Sequence, residues 1–170
     1  MKDTGLKAVE LGSDAPSDAT LEGLGKSFRF RDVAACTDLF ARHDIATAHY
    51  FMFGCPGETQ ASVHEGINNI VNLKKTVSFI FMGIRILPAT ALEAIAVRDG
   101  VIVPGQDLFD PVYYIAPGID REWLERVLTA GFEPHRHCVF PPNALDSSVQ
   151  FLRKMGYTGL LWDMLIPGSK

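Results

Sequence analysis

The chain has 170 residues, of which 47% are apolar and 21% charged, and carries a formal net charge of −4. That length supports one domain with a sizeable core rather than two, and the composition excludes disorder as the main state. A negative balance with no basic run argues against a partner held by its phosphates, so no nucleic acid is expected.

The amino-terminal Met1-Lys-Asp-Thr-Gly-Leu-Lys7 has no signal-peptide core, and no stretch reaches the roughly 20 apolar residues of a membrane span. The expectation is a cytoplasmic protein without a membrane span. Three cysteines, Cys36, Cys55 and Cys138, lie too far apart for an even disulfide framework and read as free thiols.

In chain order, Leu6 to Gly12 is a short apolar run that predicts a buried strand, and Ser13 to Asp18 is rich in turn and cap residues. Ser17 or Asp18 caps a short helix over Ala19 to Leu24, closed by Gly25. A second helix is expected over Arg31 to His43, with Val33, Cys36 or Thr37, and Phe40 on its apolar face. Cys36 is there most simply a small buried hydrophobe.

Ala46 to Phe53 is an aromatic-rich strand that stops at Gly54. After Pro56-Gly57, a helix with Val63, Ile67, Ile70 and Val71 at helical spacing runs from Glu58 to Lys75. Such a turn between a parallel strand and a helix leaves backbone N–H groups where a nucleotide or carboxylate is held, and glycine admits close approach. Taken alone, the same turn is more often a well-formed loop than a binding site.

Val77 to Leu87 reads as a third strand, stopped by Pro88. Strands apolar along their length and joined by helices imply a parallel sheet covered on at least one face. Beyond Pro88 the rhythm breaks. A short helix over Thr90 to Arg98, an extended Val101-Ile-Val103 and a Pro- and aromatic-containing loop with Tyr113 and Tyr114 come first. They precede a helix capped by Asp120, an irregular Phe132 to Pro142, and a last helix over Leu145 to Met155. The apolar tail Gly159 to Ile166 is expected to pack back on the core.

Glu10 to Asp14, Gly54 to Glu58 and Arg85 to Pro88 therefore fall at the carboxyl ends of three strands, the edge where parallel α/β sheets and barrels bind ligands. Arg85 in an apolar strand requires an anion or carbonyl partner, a substrate carboxylate or Glu10. His49 reads as a core histidine or a ligand, with the first favoured. His135-Arg-His-Cys138 lacks the spacing of a zinc site, so no metal ligand is assigned. Tyr113, Tyr114, Trp123 and Trp162 read as packing residues, with the tyrosine pair an alternative cover for a substrate.

Three motifs taken together carry a resemblance. Val9-Glu-Leu-Gly-Ser-Asp-Ala15 with Leu21-Glu-Gly-Leu-Gly-Lys26 resembles the fourth-strand region of radical S-adenosylmethionine (SAM) enzymes. Phe51-Met-Phe-Gly-Cys-Pro-Gly-Glu-Thr59 resembles their fifth-strand motif, and Phe81-Met-Gly-Ile-Arg-Ile-Leu-Pro-Ala-Thr90 their sixth strand. Within the superfamily the chain looks similar to the cobalamin-binding branch, which includes lipid-biosynthesis enzymes and the anaerobic oxidative cyclase of magnesium-protoporphyrin monomethyl ester.

The resemblance implies an α/β fold, the parallel half of a partial TIM-like barrel over residues 1–90, with an irregular, α-rich extension over 91–170. It implies SAM as a cofactor, a [4Fe–4S] cluster and cobalamin in a parent enzyme, and a small-molecule substrate. Glu10 and Ser13 would face the amino-acid and ribose portions of SAM, with Asp14 a further cofactor-binding residue. Phe53, Gly54, Cys55 and Gly57 would lie against the adenine with Glu58 beside them, and Arg85 would reach the cavity.

The family's Cys-x-x-x-Cys-x-x-Cys motif, whose thiolates hold the cluster, is absent: the cysteines here are 19 and 83 residues apart. The expectation is the carboxyl-terminal half of a longer oxidoreductase, inactive alone, with a non-catalytic nucleotide-binding or interaction half-barrel as the alternative. An open strand edge near Val9 predicts self-association.

Overall fold

The computed structural model describes residues 4–166. A four-stranded, all-parallel sheet forms its centre, in the order β1 (Ala8–Asp14), β2 (Ala46–Phe53), β3 (Thr76–Met82), β6 (Cys138–Val139). A second, two-stranded antiparallel sheet pairs β4 (Ile84–Arg85) with β5 (Tyr113–Tyr114). Segments from both sides of residue 90 thus contribute to each sheet.

Helical crossovers join the parallel strands. Between β1 and β2 come α1 (Asp18–Gly23), capped by Ser17, and α2 (Phe30–Arg42). Between β2 and β3 comes α3 (Gln60–Val71), opened by a capping box in which Thr59 and Ser62 satisfy each other's backbone N–H. α4 (Ala91–Arg98) and α5 (Arg121–Phe132), capped by Thr90 and Asp120, precede β6, and α6 (Asp146–Lys154) follows it.

The pleat of β2 separates two environments. His49, Phe51 and Phe53 lie on the helix-covered face: His49 bonds Thr37 of α2, Phe51 meets Phe30, and Phe53 meets Phe132 of α5 edge-on. The main core, including Val63, Ile70, Ile80, Leu124 and Leu128, is built on that side.

Ala48 and Tyr50 point to the other face, away from α2 and α5. There Tyr50 stacks on Phe79 with ring centroids 5.4 Å apart, and Phe81 is 36% exposed beside them. The tail returns across this face: a 3-10 turn, Trp162–Leu165, sets Trp162 against Ala48, Val77 and Val139, as expected of an apolar carboxyl-terminal segment.

Four differences from the sequence reading have physical causes. The third strand ends at Met82, because Gly83 takes φ +81° and turns the chain into β4, inside a run that stays apolar. The irregular stretch after α5 contributes a fourth parallel strand of two residues, too short to show a pattern. Val101–Val103 is not a strand, since the chain bends at Val101 and Ile102 as their N–H groups close back on the Ala96 carbonyl of α4. Cys36 is half-buried rather than in the core, where α2 presents Val33 and Thr37 instead.

Candidate functional site

The carboxyl ends of β1, β2 and β3 form one rim. Gly83 donates its N–H to the Phe53 carbonyl (2.8 Å), and Asp14 pairs in register with Phe51. Asp14 and Cys55 are near enough that the carboxylate, after burial and Glu58, helps push the Cys55 thiol up. Asp14, Gly54 and Gly83 all have positive φ, at 61°, 90° and 81°, so each strand leaves the sheet through a left-handed turn.

The second-strand turn is organised by Glu58, which is 5% exposed. Its Oε2 accepts the N–H groups of Gly54 (2.8 Å) and Cys55 (3.3 Å), while Oε1 accepts the Ser62 hydroxyl (2.8 Å). Burial pushes the carboxyl pKa up, and these three donors oppose it. The turn's N–H groups, expected to be free for a ligand, are therefore occupied by the chain's own carboxylate. Two of the N–H groups at the start of the helix, those of Thr59 and Ser62, are likewise taken by the capping box. Phe53, Gly54 and Cys55 are themselves buried, so this turn is a backbone held rigid by Glu58 rather than an open surface.

Glycine at the rim also admits the chain itself. A Cβ on Gly54 would stand 3.2 Å from Ile115 Cγ1, and one on Gly83 would stand 3.1 Å from the Tyr113 Cβ. The Ala116 N–H bonds the Gly54 carbonyl at 3.0 Å. The tyrosine segment thus lies along the ends of β2 and β3, with Tyr114 buried and bonded to Asp99 and Tyr113 49% exposed.

At the β1 end, Asp14 forms an ion pair with Lys26 (2.7 Å), both side chains about one-third exposed. Lys26 is a rim residue that the sequence reading did not select; the Leu21-to-Lys26 motif was the signal for it. Ser13, 5% exposed, directs its hydroxyl to His49 Nδ1 (2.6 Å), on the helix-covered side of the sheet. A cavity of about 210 Å³ lies beside that bond, bordered by Leu11, Phe28, Val33 and Cys36.

Two residues differ from their sequence-based placement. Glu10 stands four residues before the end of β1, about 10 Å back from Asp14 because the bulge shortens that stretch to three residues' worth of strand rise. There it accepts the Tyr50 hydroxyl and the Trp162 indole N–H, both at 3.0 Å. Arg85 is exposed on β4, so it incurs no burial cost, and among the described residues no hydrogen bond or ion pair engages it, Glu10 included. The rim gathers Asp14, Phe53, Gly54, Cys55, Gly57 and Glu58, and leaves Glu10 below it.

His49 is a fully buried core histidine with both ring nitrogens bonded. His135 and His137 stack edge-on at 5.9 Å, and burial followed by His135 lowers the His137 pKa. Among the described residues, no three His, Cys, Asp or Glu side chains come together as a metal site. Cys36 on α2, Cys55 after β2 and Cys138 in β6 do not form a cluster cradle. Among the described residues, no helix is long and apolar enough to cross a membrane.

No family model matches the chain, and no curated protein does. Solved structures do. The radical SAM methyltransferase TsrM from Kitasatospora setae, with cobalamin and a [4Fe–4S] cluster bound, superposes with a TM-score of 0.72 at 22% identity. That match covers 94% of this chain and 38% of TsrM. The same enzyme with its tryptophan substrate and a SAM analogue gives 0.70 at 20% identity, over 94% of this chain and 40% of TsrM. The likeness is one of fold: a parallel α/β unit that spans about two-fifths of that methyltransferase.

Proposed function

We propose that this chain is the SAM- and substrate-side part of a radical SAM enzyme of the cobalamin-binding branch. In this reading the rim formed by β1, β2 and β3 holds the adenosyl cofactor, and the cluster ligands lie outside these residues. Three things support it: the order of the three sequence motifs, the likeness to a cobalamin-dependent radical SAM fold, and the shared rim. The rim carries the argument, because it joins residues up to 69 positions apart, Asp14 to Gly83, at one edge of a parallel sheet.

The rim's chemistry fits SAM at one charged pair. The Asp14–Lys26 pair offers an anion and a cation to the ammonium and carboxylate of a methionyl group. The resemblance assigns the adenine to the backbone from Phe53 to Cys55, which Glu58 preorganises and which lies buried beneath Ile115 and Ala116, so the ring would meet it only beside that segment. Ser13 and Glu10 serve this site indirectly, from the helix side and from below. The three cysteines do not fit a [4Fe–4S] cluster, so no radical step is assigned to this chain. The parent's subfamily, cyclase-like or lipid-biosynthetic, its small-molecule substrate and its cytoplasmic location belong to the same proposal.

Calorimetry with S-adenosylhomocysteine tests the reading. Saturable binding, weakened about tenfold in K26A through loss of one charge-assisted contact, supports it. Absence of binding refutes it, as does formation of a stoichiometric iron–sulfur cluster on the isolated chain after anaerobic reconstitution. β1 is also the outermost strand of the sheet, and the aromatic face around Phe81 is open. We propose association of the isolated chain through these surfaces, to be measured by light scattering across concentration; a constant monomer mass refutes it.

A further inference from the structure

The end of β1 is irregular in a specific way. Leu11 pairs with His49 and Asp14 with Phe51, so three steps along β1 match two along β2. The extra residue is absorbed by a bulge that closes tightly, with the Ala15 N–H donating to the Ser13 carbonyl at 2.8 Å across Asp14. Asp14 sits at φ +61°, in a three-residue turn of the rare, strained kind. A non-glycine residue keeps such a conformation only where its surroundings fix it.

The fixing contact is a buried relay. The Thr37 hydroxyl donates to the Val33 carbonyl in α2 (2.8 Å), which leaves its oxygen to accept from His49 Nε2–H (3.0 Å). His49 Nδ1 is then an acceptor and receives the Ser13 hydroxyl proton (2.6 Å). Stacking on Phe51, at 5.5 Å and 13°, sets the plane of the ring. An unbroken line of donors thus runs from Ser13, the first residue of the strained turn, through His49 of β2 and Thr37 to the Val33 carbonyl of α2.

We infer that His49 is a positioning residue, a neutral two-ended strut that holds the Asp14 turn through Ser13. It thereby fixes the Asp14–Lys26 pair at the rim. The inference rests on the proposed function for its consequence in ligand binding, but the strut itself is observable without any ligand.

The test follows hydrogen exchange of the Ala15 amide, which closes the turn, relative to the β3 amides of Ile80 and Phe81. H49F retains a stacking ring but has no acceptor, S13A removes the donor, and H49N restores an acceptor near the place of Nδ1. The expected result is Ala15 exchange about tenfold faster relative to β3 in S13A and H49F, the scale of one buried hydrogen bond, and near wild type in H49N. S-adenosylhomocysteine affinity falls in the same order. Uniform acceleration of Ala15 and β3, or H49N as fast as H49F, overturns the assignment. Wild-type protein that fails to bind S-adenosylhomocysteine while Ala15 responds as described refutes the proposed function and supports the strut.

Discussion

Acid should destabilise this fold through His49 as the pH falls below about 6.5. The imidazole is fully buried, and burial lowers its pKa from 6.5 to about 4. Asp32 of α2 and the Cys36 thiol border the cavity beside it. The unfolded chain takes up the proton near pH 6.5, whereas the folded chain does so only near pH 4. Between those values the unfolded state binds more protons, so stability is complete above pH 6.5 and declines as pH falls. At pH 4 the loss amounts to about 3 kcal/mol, from a shift of about 2.5 units at 1.36 kcal/mol each, less the part the folded state recovers by protonating. Urea unfolding of wild type and H49F at pH 7, 6, 5 and 4.5, at low protein concentration, measures it. H49F should start less stable at pH 7 by about 2 kcal/mol, because Ser13 loses its buried acceptor, and the gap should close as pH falls. A gap that stays constant with pH would refute the neutral, desolvated imidazole.

Other substitutions probe the remaining supports. E58A leaves the Gly54 and Cys55 N–H groups and the Ser62 hydroxyl without their acceptor and should cost about 3 kcal/mol by chemical denaturation; E58Q, which keeps an acceptor, should cost less. G23A would place a Cβ 1.9 Å from the Pro56 carbonyl oxygen, so it should reduce the melting temperature sharply, whereas G12A, with nothing within 4 Å, should not clash. W162F loses the indole bond to Glu10 and should cost about 1 kcal/mol, with Tyr50 fluorescence reporting the altered surroundings.

Periodicity made the β1–β2–β3 arrangement and its crossover helices legible, because each strand contains a short apolar run and the crossover helices α2 and α3 have an apolar stripe. Ser17, Asp120 and the Trp162 tail were legible from side-chain chemistry alone. The rim was visible only as strand ends, and its wiring was not. Glu58 folds back onto the turn that precedes it, a contact over four residues that a free N–H argument ignores. Glu10 appeared to end a strand because Gly12 and Ser13 look like breakers, yet the bulge absorbs them and carries the strand to Asp14. Lys26 meets Asp14 across the whole of α1, which no local pattern records. Gly83 was a readable signal, since glycine within a strand pattern marks a bend, but the apolar residues on both sides masked it.

The account depends on the three strand ends acting as one adenosyl site. Amide and side-chain shift mapping of the labelled chain with S-adenosylhomocysteine addresses this most directly. The predicted perturbations concentrate at Asp14, Lys26, Phe53 to Cys55 and Gly83, and saturate with a single affinity. Perturbations confined to the helix-covered face around Cys36, or none at millimolar ligand, would contradict it.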